Sequence, residues 1–227
     1  MNKVLVFLLL TIISGQSFSQ KFEGAWERFH TEEMEDVKTV MIVADNYLVA
    51  TTYTLKGRYI GLSIQKWTRN DMVVDLEVEY DSDFPEDPGY KTQIELEFWA
   101  DRLTFLGSST MIWTRIDEGT PEELAGAWMI KNVEESGSGR NTLKMLSGTR
   151  FQWIDYDPQS GELFGTAAGT YTAIDGKYIE KIEMFLHDTS KVGVSLGYDF
   201  QLVNNQWNYS GIGIDGREIS EKLERRD

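Results

Sequence analysis

The sequence predicts an all-β protein of two tandem small antiparallel β-barrels, each of about seven or eight strands. The first observation is the tripeptide Gly-Ala-Trp, which occurs at 24–26 and again at 126–128. The second is that segments after each copy alternate apolar and polar residues, as half-buried strands do. The third is that turns rich in Gly, Asn and Asp separate these segments, with no long helical pattern between them. A duplicated unit of short strands indicates paired sandwiches or barrels.

The N-terminus indicates an export signal that precedes the fold. Residues 1–3 include a lysine, residues 4–13 are almost entirely apolar, and Ser17 and Ser19 are small residues of the kind that a signal peptidase reads. This pattern predicts a secretory signal peptide over 1–19, cleaved before Gln20. The apolar run is too short to cross a bilayer, which takes about 20 residues. We therefore expect an exported protein, periplasmic or secreted, without a membrane span.

The composition argues against several classes of partner. The formal net charge is −15, and the chain has no Cys. An acidic chain is a poor partner for nucleic acid because phosphate binding requires a basic face, and an anionic membrane surface is disfavoured for the same reason. The absence of Cys excludes disulfide bonds and thiolate chemistry. We expect the fold to be stabilised by burial alone.

The first barrel is assigned to residues 20–118. In the segment 71–80, acidic residues alternate with apolar ones that share a face, namely Met72, Val74, Leu76, Val78 and Tyr80. A second alternation places Ile94, Leu96 and Phe98 opposite two glutamates. The period of two predicts half-buried strands whose apolar faces line a core.

The second barrel is assigned to residues 119–227, after a linker at 117–122. The segment 198–202 matches 94–98 in its apolar positions, and 207–211 matches 103–107. The hairpin segment 171–178 matches 53–60, and the ending 223–227 matches 113–117. Lys56-Gly57 and Asp175-Gly176 are typical hairpin turns, since Gly accepts a positive φ. These matches predict the same succession of strands in both halves.

A Gly-x-Trp on the first strand and a basic residue on the last strand resemble the pattern of the calycin superfamily, which includes the lipocalins. The resemblance implies that each Trp closes one end of a barrel and that a basic side chain packs across its ring. The implied structural pairs are Trp26 with Arg115 and Trp128 with Arg225. The glycine of each motif would let the backbone bend or pass closely.

The second half carries a longer resemblance. Its segments GTYTAIDGKYIEKIE, LGYDFQLVNNQWNYSG and ISEKLER look like the lipocalin-like domains of exported Bacteroidetes proteins. That resemblance implies a compact calycin-type barrel with no assigned reaction.

Few residues indicate catalysis or metal binding. His30 and His187 are the two histidines, and neither has the spacing of a known metal motif. No nucleophile elbow accompanies the neighbouring His187 and Asp188. The acidic segment Asp81–Asp87 is a candidate calcium loop, although a solvated hairpin loop is the favoured interpretation. We expect no catalytic residues, no metal and no cofactor.

The candidate ligand-binding residues are aromatic and lie on the central strands of the second half, together with one carboxylate. They are Trp153, Tyr171, Tyr178, Glu180, Tyr198 and Trp207. Glu180 alternates with Tyr178, Ile182 and Met184, but Ile179 and Phe185 make the other face apolar too. If Glu180 points inward, it must be paired or have a raised pKa, and it could orient a ligand.

The first functional hypothesis is a non-catalytic protein whose second barrel binds a small apolar or amphipathic ligand. The alternative is a pair of solid barrels that contacts an envelope protein or a glycan, for which exposed Trp67 and Trp99 would be evidence. A glycoside hydrolase with two facing carboxylates is the third hypothesis.

Overall fold

The chain forms two closed antiparallel barrels of eight strands each, which confirms the predicted fold class. The computed structural model describes residues 21–107, 109–117, 123–130 and 139–226. The predicted signal peptide and nearly all of the predicted linker lie outside these ranges. Within them, no helix is long and apolar enough to cross a membrane.

Barrel one has eight strands in an up-and-down order. They are β1 (Gly24–Glu32), β2 (Glu35–Ala44), β3 (Tyr47–Thr54), β4 (Tyr59–Asn70), β5 (Val73–Asp81), β6 (Lys91–Trp99), β7 (Arg102–Leu106) and β8 (Met111–Arg115). Each strand pairs with the next, and β8 returns to β1 where Arg115 lies opposite Trp26.

Barrel two repeats this order. Its strands are β9 (Gly126–Ile130), β10 (Asn141–Leu146), β11 (Arg150–Tyr156), β12 (Leu163–Ile174), β13 (Lys177–Phe185), β14 (Ser195–Val203), β15 (Gln206–Ile212) and β16 (Glu218–Arg225). A short 3₁₀ turn, Thr189–Lys191, lies between β13 and β14. The barrel closes where Arg225 on β16 lies opposite Trp128 on β9.

One of the predicted matches between the halves is wrong. The hairpin at 53–60 joins the third and fourth strands of barrel one, whereas the hairpin at 171–178 joins the fourth and fifth strands of barrel two. The true counterpart of the Asp175-Gly176 turn is the β4–β5 turn at Asp71, and both aspartates have a positive φ. A Gly-containing hairpin signature is common to many turns, so it does not fix strand order.

The repeated Gly-Ala-Trp begins each barrel and has the same geometry in both. The Arg115 guanidinium carbon lies 3.9 Å from the ring centroid of Trp26, and that of Arg225 lies 4.1 Å from the ring centroid of Trp128. Gly126 has a φ of +142°, and a Cβ at this position would overlap Nη1 of Arg225. The glycine is therefore required so that the arginine can cross the strand and reach the indole.

The segment that precedes β1 closes one end of barrel one. Phe22 is fully buried and packs edge-on against Trp67, with ring centroids 5.1 Å apart. The Trp26 Nε1–H donates to the Phe22 carbonyl at 2.9 Å. Barrel two has the same arrangement, since the Trp128 Nε1–H donates to the Leu124 carbonyl at 2.8 Å.

Tyr80 does not share the interior with Val74 and Leu76, contrary to the predicted alternation. The pairing of β4 with β5 shifts between Ile64 and Gln65, which leaves Glu79 as the extra residue of a bulge. A bulge reverses the side of the strand to which later residues point. Tyr80 therefore packs outside the barrel, 5.2 Å from the ring of Tyr156.

That outer contact belongs to a buried core between the two barrels. Barrel one contributes apolar residues from the outer faces of β2 to β5, and barrel two contributes residues from β9 to β11. The members are Ile42, Ala44, Tyr47, Val49, Leu62, Ile64, Tyr80, Ala127, Leu143, Met145, Ile154 and Tyr156. Strands β2, β3 and β10 are consequently buried on both faces along much of their length.

Candidate functional site

A buried ion pair lies inside barrel two. Glu180 on β13 points inward with Tyr178 and Ile182, and the residue is 5% exposed. Its Oε1 lies 2.7 Å from the Nζ of Lys144 on β10. The Tyr178 hydroxyl donates to the same oxygen at 2.8 Å. The uncertain orientation of β13 is thereby settled, and the inward carboxylate has both a cationic partner and a hydrogen-bond donor.

Four aromatic rings surround the Lys144 ammonium. Its Nζ lies 4.5 Å from the ring centroid of Tyr209, 5.0 Å from Tyr178, 5.2 Å from Trp207 and 5.9 Å from Tyr198. Each ring lies within the distance at which the quadrupole of an aromatic face attracts a cation. We call Lys144, Glu180 and these four rings the lysine cage.

The tyrosines of the lysine cage are held as neutral hydroxyls. Burial is the main cause that raises the pKa of Tyr178 well above its usual value, and the charge of the neighbouring Glu180 carboxylate raises it further. Burial and the charge of Glu221 likewise raise the pKa of Tyr209 well above its usual value. The Tyr209 hydroxyl donates a hydrogen bond to that glutamate. Each phenol therefore remains a hydrogen-bond donor at physiological pH.

One polar group of the lysine cage has no protein partner. Trp207 is fully buried, and its Nε1–H is a buried donor with no hydrogen bond. The indole packs edge-on against Trp128 and Tyr178, at centroid distances of 5.6 and 5.0 Å. Because leaving a buried donor unsatisfied costs about 1–3 kcal/mol, an unpartnered donor at this depth requires an explanation.

The structure brings four of the six predicted ligand-binding residues into the lysine cage: Tyr178, Glu180, Tyr198 and Trp207. Tyr171 lies beside them, 5.5 Å from the ring of Tyr178, and donates to the Ser147 carbonyl at 2.6 Å. Trp153 is half-buried at the edge of the same core, against Gly165.

Sequence reasoning missed Lys144 and Tyr209. Lys144 lies between Leu143 and Met145, so a simple alternation turns the lysine toward solvent. Leu143 and Met145 instead pack into the core between the barrels, which directs Lys144 into the interior. The signal was the apolar run from Leu143 to Leu146, which is interrupted only by this lysine.

The acidic segment and the histidines have other contacts in the described part of the chain. In the described part of the chain, no group of three or more His, Asp or Glu residues is placed to hold a metal ion. The Asp81 carboxylate instead accepts hydrogen bonds from the backbone N–H groups of Asp83 and Phe84, at 2.9 and 3.2 Å. Asp188 likewise accepts from the backbone and the hydroxyl of Ser190.

The two tryptophans that the interaction hypothesis requires to be exposed differ in exposure. Trp99, at the end of β6, is 80% exposed. Trp67 is half-buried and packs against the interior of barrel one. Only Trp99 of this pair therefore presents its indole to solvent.

No family model matches the sequence, and no curated protein matches it. Two closed eight-stranded antiparallel barrels in tandem fit a lipocalin-like fold. Membership of the calycin superfamily and a Bacteroidetes origin stay predictions from the sequence.

Proposed function

We propose that this chain is an exported, non-catalytic lipocalin-like protein whose second barrel binds a small apolar or amphipathic ligand. The observation that carries the proposal is the lysine cage, in which a buried ion pair adjoins an indole N–H that has no partner. A closed eight-stranded barrel is the size that can hold one small ligand.

The energetics of the ion pair support a role beyond packing. Removing two charges from water costs several kcal/mol for each ion, and apolar residues of similar volume are often as stabilising as a buried pair. A lysine and a glutamate inside barrel two are therefore better explained by ligand recognition than by stability alone.

The lysine cage also indicates what part of a ligand it would meet. The aromatic faces would contact an apolar body, and the Trp207 N–H would donate to an acceptor such as a carbonyl or hydroxyl oxygen. Glu180 is already engaged by Lys144 and Tyr178. The free donor therefore favours a ligand with one hydrogen-bond acceptor on an apolar frame.

Native mass spectrometry of the mature protein, purified from its own compartment, tests the proposal. We expect an additional small mass that disappears under denaturing conditions. Trp207→Phe should reduce its occupancy, because that variant keeps the ring and loses the N–H. Trp113→Phe is the matched control, since Trp113 in barrel one also has a buried and unpartnered Nε1–H. A bare mass for the wild-type protein, or equal occupancy in both variants, would contradict the proposal.

A second candidate function is contact with an envelope protein or a glycan through barrel one. Trp99, Phe29 and Ile112 are exposed large apolar residues on its outer surface, with Trp99 the most exposed of the three. Exposed aromatic residues are enriched at recognition surfaces. Trp99→Ser should abolish capture of such a partner while leaving the melting temperature unchanged, and unchanged capture would contradict this alternative.

A further inference from the structure

A cleft of about 630 Å³ lies between the two barrels, away from the lysine cage. Barrel one forms one wall with the start of β4 and the end of β5. Barrel two forms the other wall with the β11–β12 loop, the end of β13 and the turn that follows it. Its volume falls within the usual range for small-molecule sites, about 300–1,000 Å³.

The walls of the cleft are held in place by contacts between the barrels. The Tyr80 hydroxyl donates to the Gly161 carbonyl across the cleft floor at 3.3 Å. Gly57, in the β3–β4 turn, approaches the β13 backbone so closely that a Cβ there would lie 2.6 Å from the Glu183 carbonyl oxygen. The cleft is therefore formed before any ligand arrives, which lowers the cost of binding.

The polar groups of the cleft are mainly hydrogen-bond donors. The Tyr59 hydroxyl oxygen is buried beside the Ser82 hydroxyl, and its own O–H has no acceptor among the described residues. Arg58 binds Glu35 through Nη2, which leaves other guanidinium N–H groups for a ligand. His187 lines the cleft from the turn after β13, where it has a left-handed φ of +67°.

The acidic residue of the lining has partners in its own turn. Asp188 accepts hydrogen bonds from Ser190 N at 3.0 Å and from Ser190 Oγ at 2.6 Å. Leu163, Phe185 and Leu186 supply apolar surface beside the donors. The cleft therefore combines an apolar wall with the Arg58, His187 and Tyr59 side chains, whose N–H and O–H groups can donate to the head group of an amphipathic anion.

We infer that this cleft is a second binding site, and that it takes a small amphipathic carboxylate. The carboxylate would face Arg58 and His187, and the apolar body would lie against Leu163 and Leu186. The net charge of −15 opposes an anion at long range. Salt at physiological strength screens charges beyond about 8 Å, so the groups that line the cleft determine whether an anion binds there.

Heteronuclear NMR titration of the mature protein with 1-naphthoate, compared with neutral 1-naphthylmethanol, tests the inference. We expect 1-naphthoate to shift the backbone resonances of Tyr59, Leu163 and His187, and to bind at least about tenfold more tightly than the alcohol, because charge-assisted hydrogen bonds are the stronger kind. Resonances of the lysine cage should not move. This pattern is independent of whether barrel two holds a ligand.

Three variants make the test specific. Arg58→Gln and His187→Asn should each weaken 1-naphthoate binding at least about fivefold with little effect on the alcohol, and Asn tolerates the left-handed backbone that His187 adopts. Arg217→Gln is the control for charge removal outside the cleft and the lysine cage, and it should bind normally. Equal affinity for acid and alcohol, shifts confined to the lysine cage, or no binding at about 1 mM, a very weak affinity, would overturn the inference.

Discussion

The buried ion pair of barrel two gives the sharpest prediction about stability. Lys144 and Glu180 lie 2.7 Å apart, with side chains only 4% and 6% exposed. At an effective dielectric constant of about 20, their Coulomb attraction is about 6 kcal/mol, and the desolvation of the two ions cancels most of it. The pair should therefore add little net stability, while either charge alone should be strongly destabilising.

A double-mutant cycle measures this difference. We expect Lys144→Met to lower the free energy of unfolding by about 3–5 kcal/mol, because Glu180 is left buried without its cation. Glu180→Met should cost a similar amount, since it leaves the lysine ammonium uncompensated. The double variant should lie within about 1 kcal/mol of the wild-type protein or be more stable than it.

The assay is urea unfolding followed by tryptophan fluorescence, with equal m-values required for all four proteins. Arg217→Gln is a suitable control for charge removal, because Arg217 is exposed and pairs with the neighbouring Asp215 in its own turn. A single variant within about 1 kcal/mol of the wild-type protein would refute the reasoning, since a buried unpaired charge cannot be that well tolerated. A double variant less stable than both singles would refute it as well.

Three further predictions concern the ends of the barrels and their junction. Gly126→Ala should lower the free energy of unfolding by about 2 kcal/mol or more, because a Cβ would displace Arg225 and the φ of +142° is strained for alanine. In urea unfolding, the double variant with Arg225→Ala should lose less stability than the two single variants added together. Phe22→Ala should cost about 3–5 kcal/mol by the same assay, because it opens a cavity beneath barrel one. Burial alone would raise the pKa of Glu183, but Lys38 and Arg150 outweigh it and lower that pKa. The stabilisation by Glu183 is therefore present above the unfolded-chain value of 4.5 and is lost as the pH falls through the folded value. Glu183→Gln should show a smaller drop in melting temperature between neutral and acidic pH, and an unchanged drop would contradict this assignment.

The sequence carried enough information to predict the fold class, because alternation and turn chemistry are local. Leu96 and Phe98 on β6, and Leu76 on β5, are buried as the period of two requires. The Gly-Ala-Trp motif also predicted where each barrel begins, since both copies open a first strand. These features depend on neighbouring residues along the chain, which a single sequence displays directly.

The parts that could not be predicted depend on contacts between distant strands. Tyr80 points out of the barrel because of a bulge, and an alternating pattern does not indicate where an extra residue is inserted. Lys144 points inward because its neighbours belong to a core shared by the two barrels. The cleft at Tyr59 and His187 exists only because the barrels are packed together, a contact between residues that are far apart in the sequence.

The two Gly-Ala-Trp motifs also connect closure of the barrels to their association. The Asp45 carboxylate, in the β2–β3 turn of barrel one, accepts a hydrogen bond from the Ala127 backbone of barrel two at 2.8 Å and pairs with Arg225 at 3.3 Å. Asp117 accepts from the Ala25 backbone at 2.7 Å and also from Thr149 of barrel two.

The alanine N–H of each motif therefore donates to a carboxylate that bridges the two barrels. The next residue is the tryptophan whose ring is covered by the arginine of the last strand. Any change that disturbs the closing arginine of barrel two also removes a partner of Asp45, so closure and association are energetically coupled. Because the cleft is bounded by both barrels, this coupling links the integrity of the first and last strands to the shape of the proposed carboxylate site.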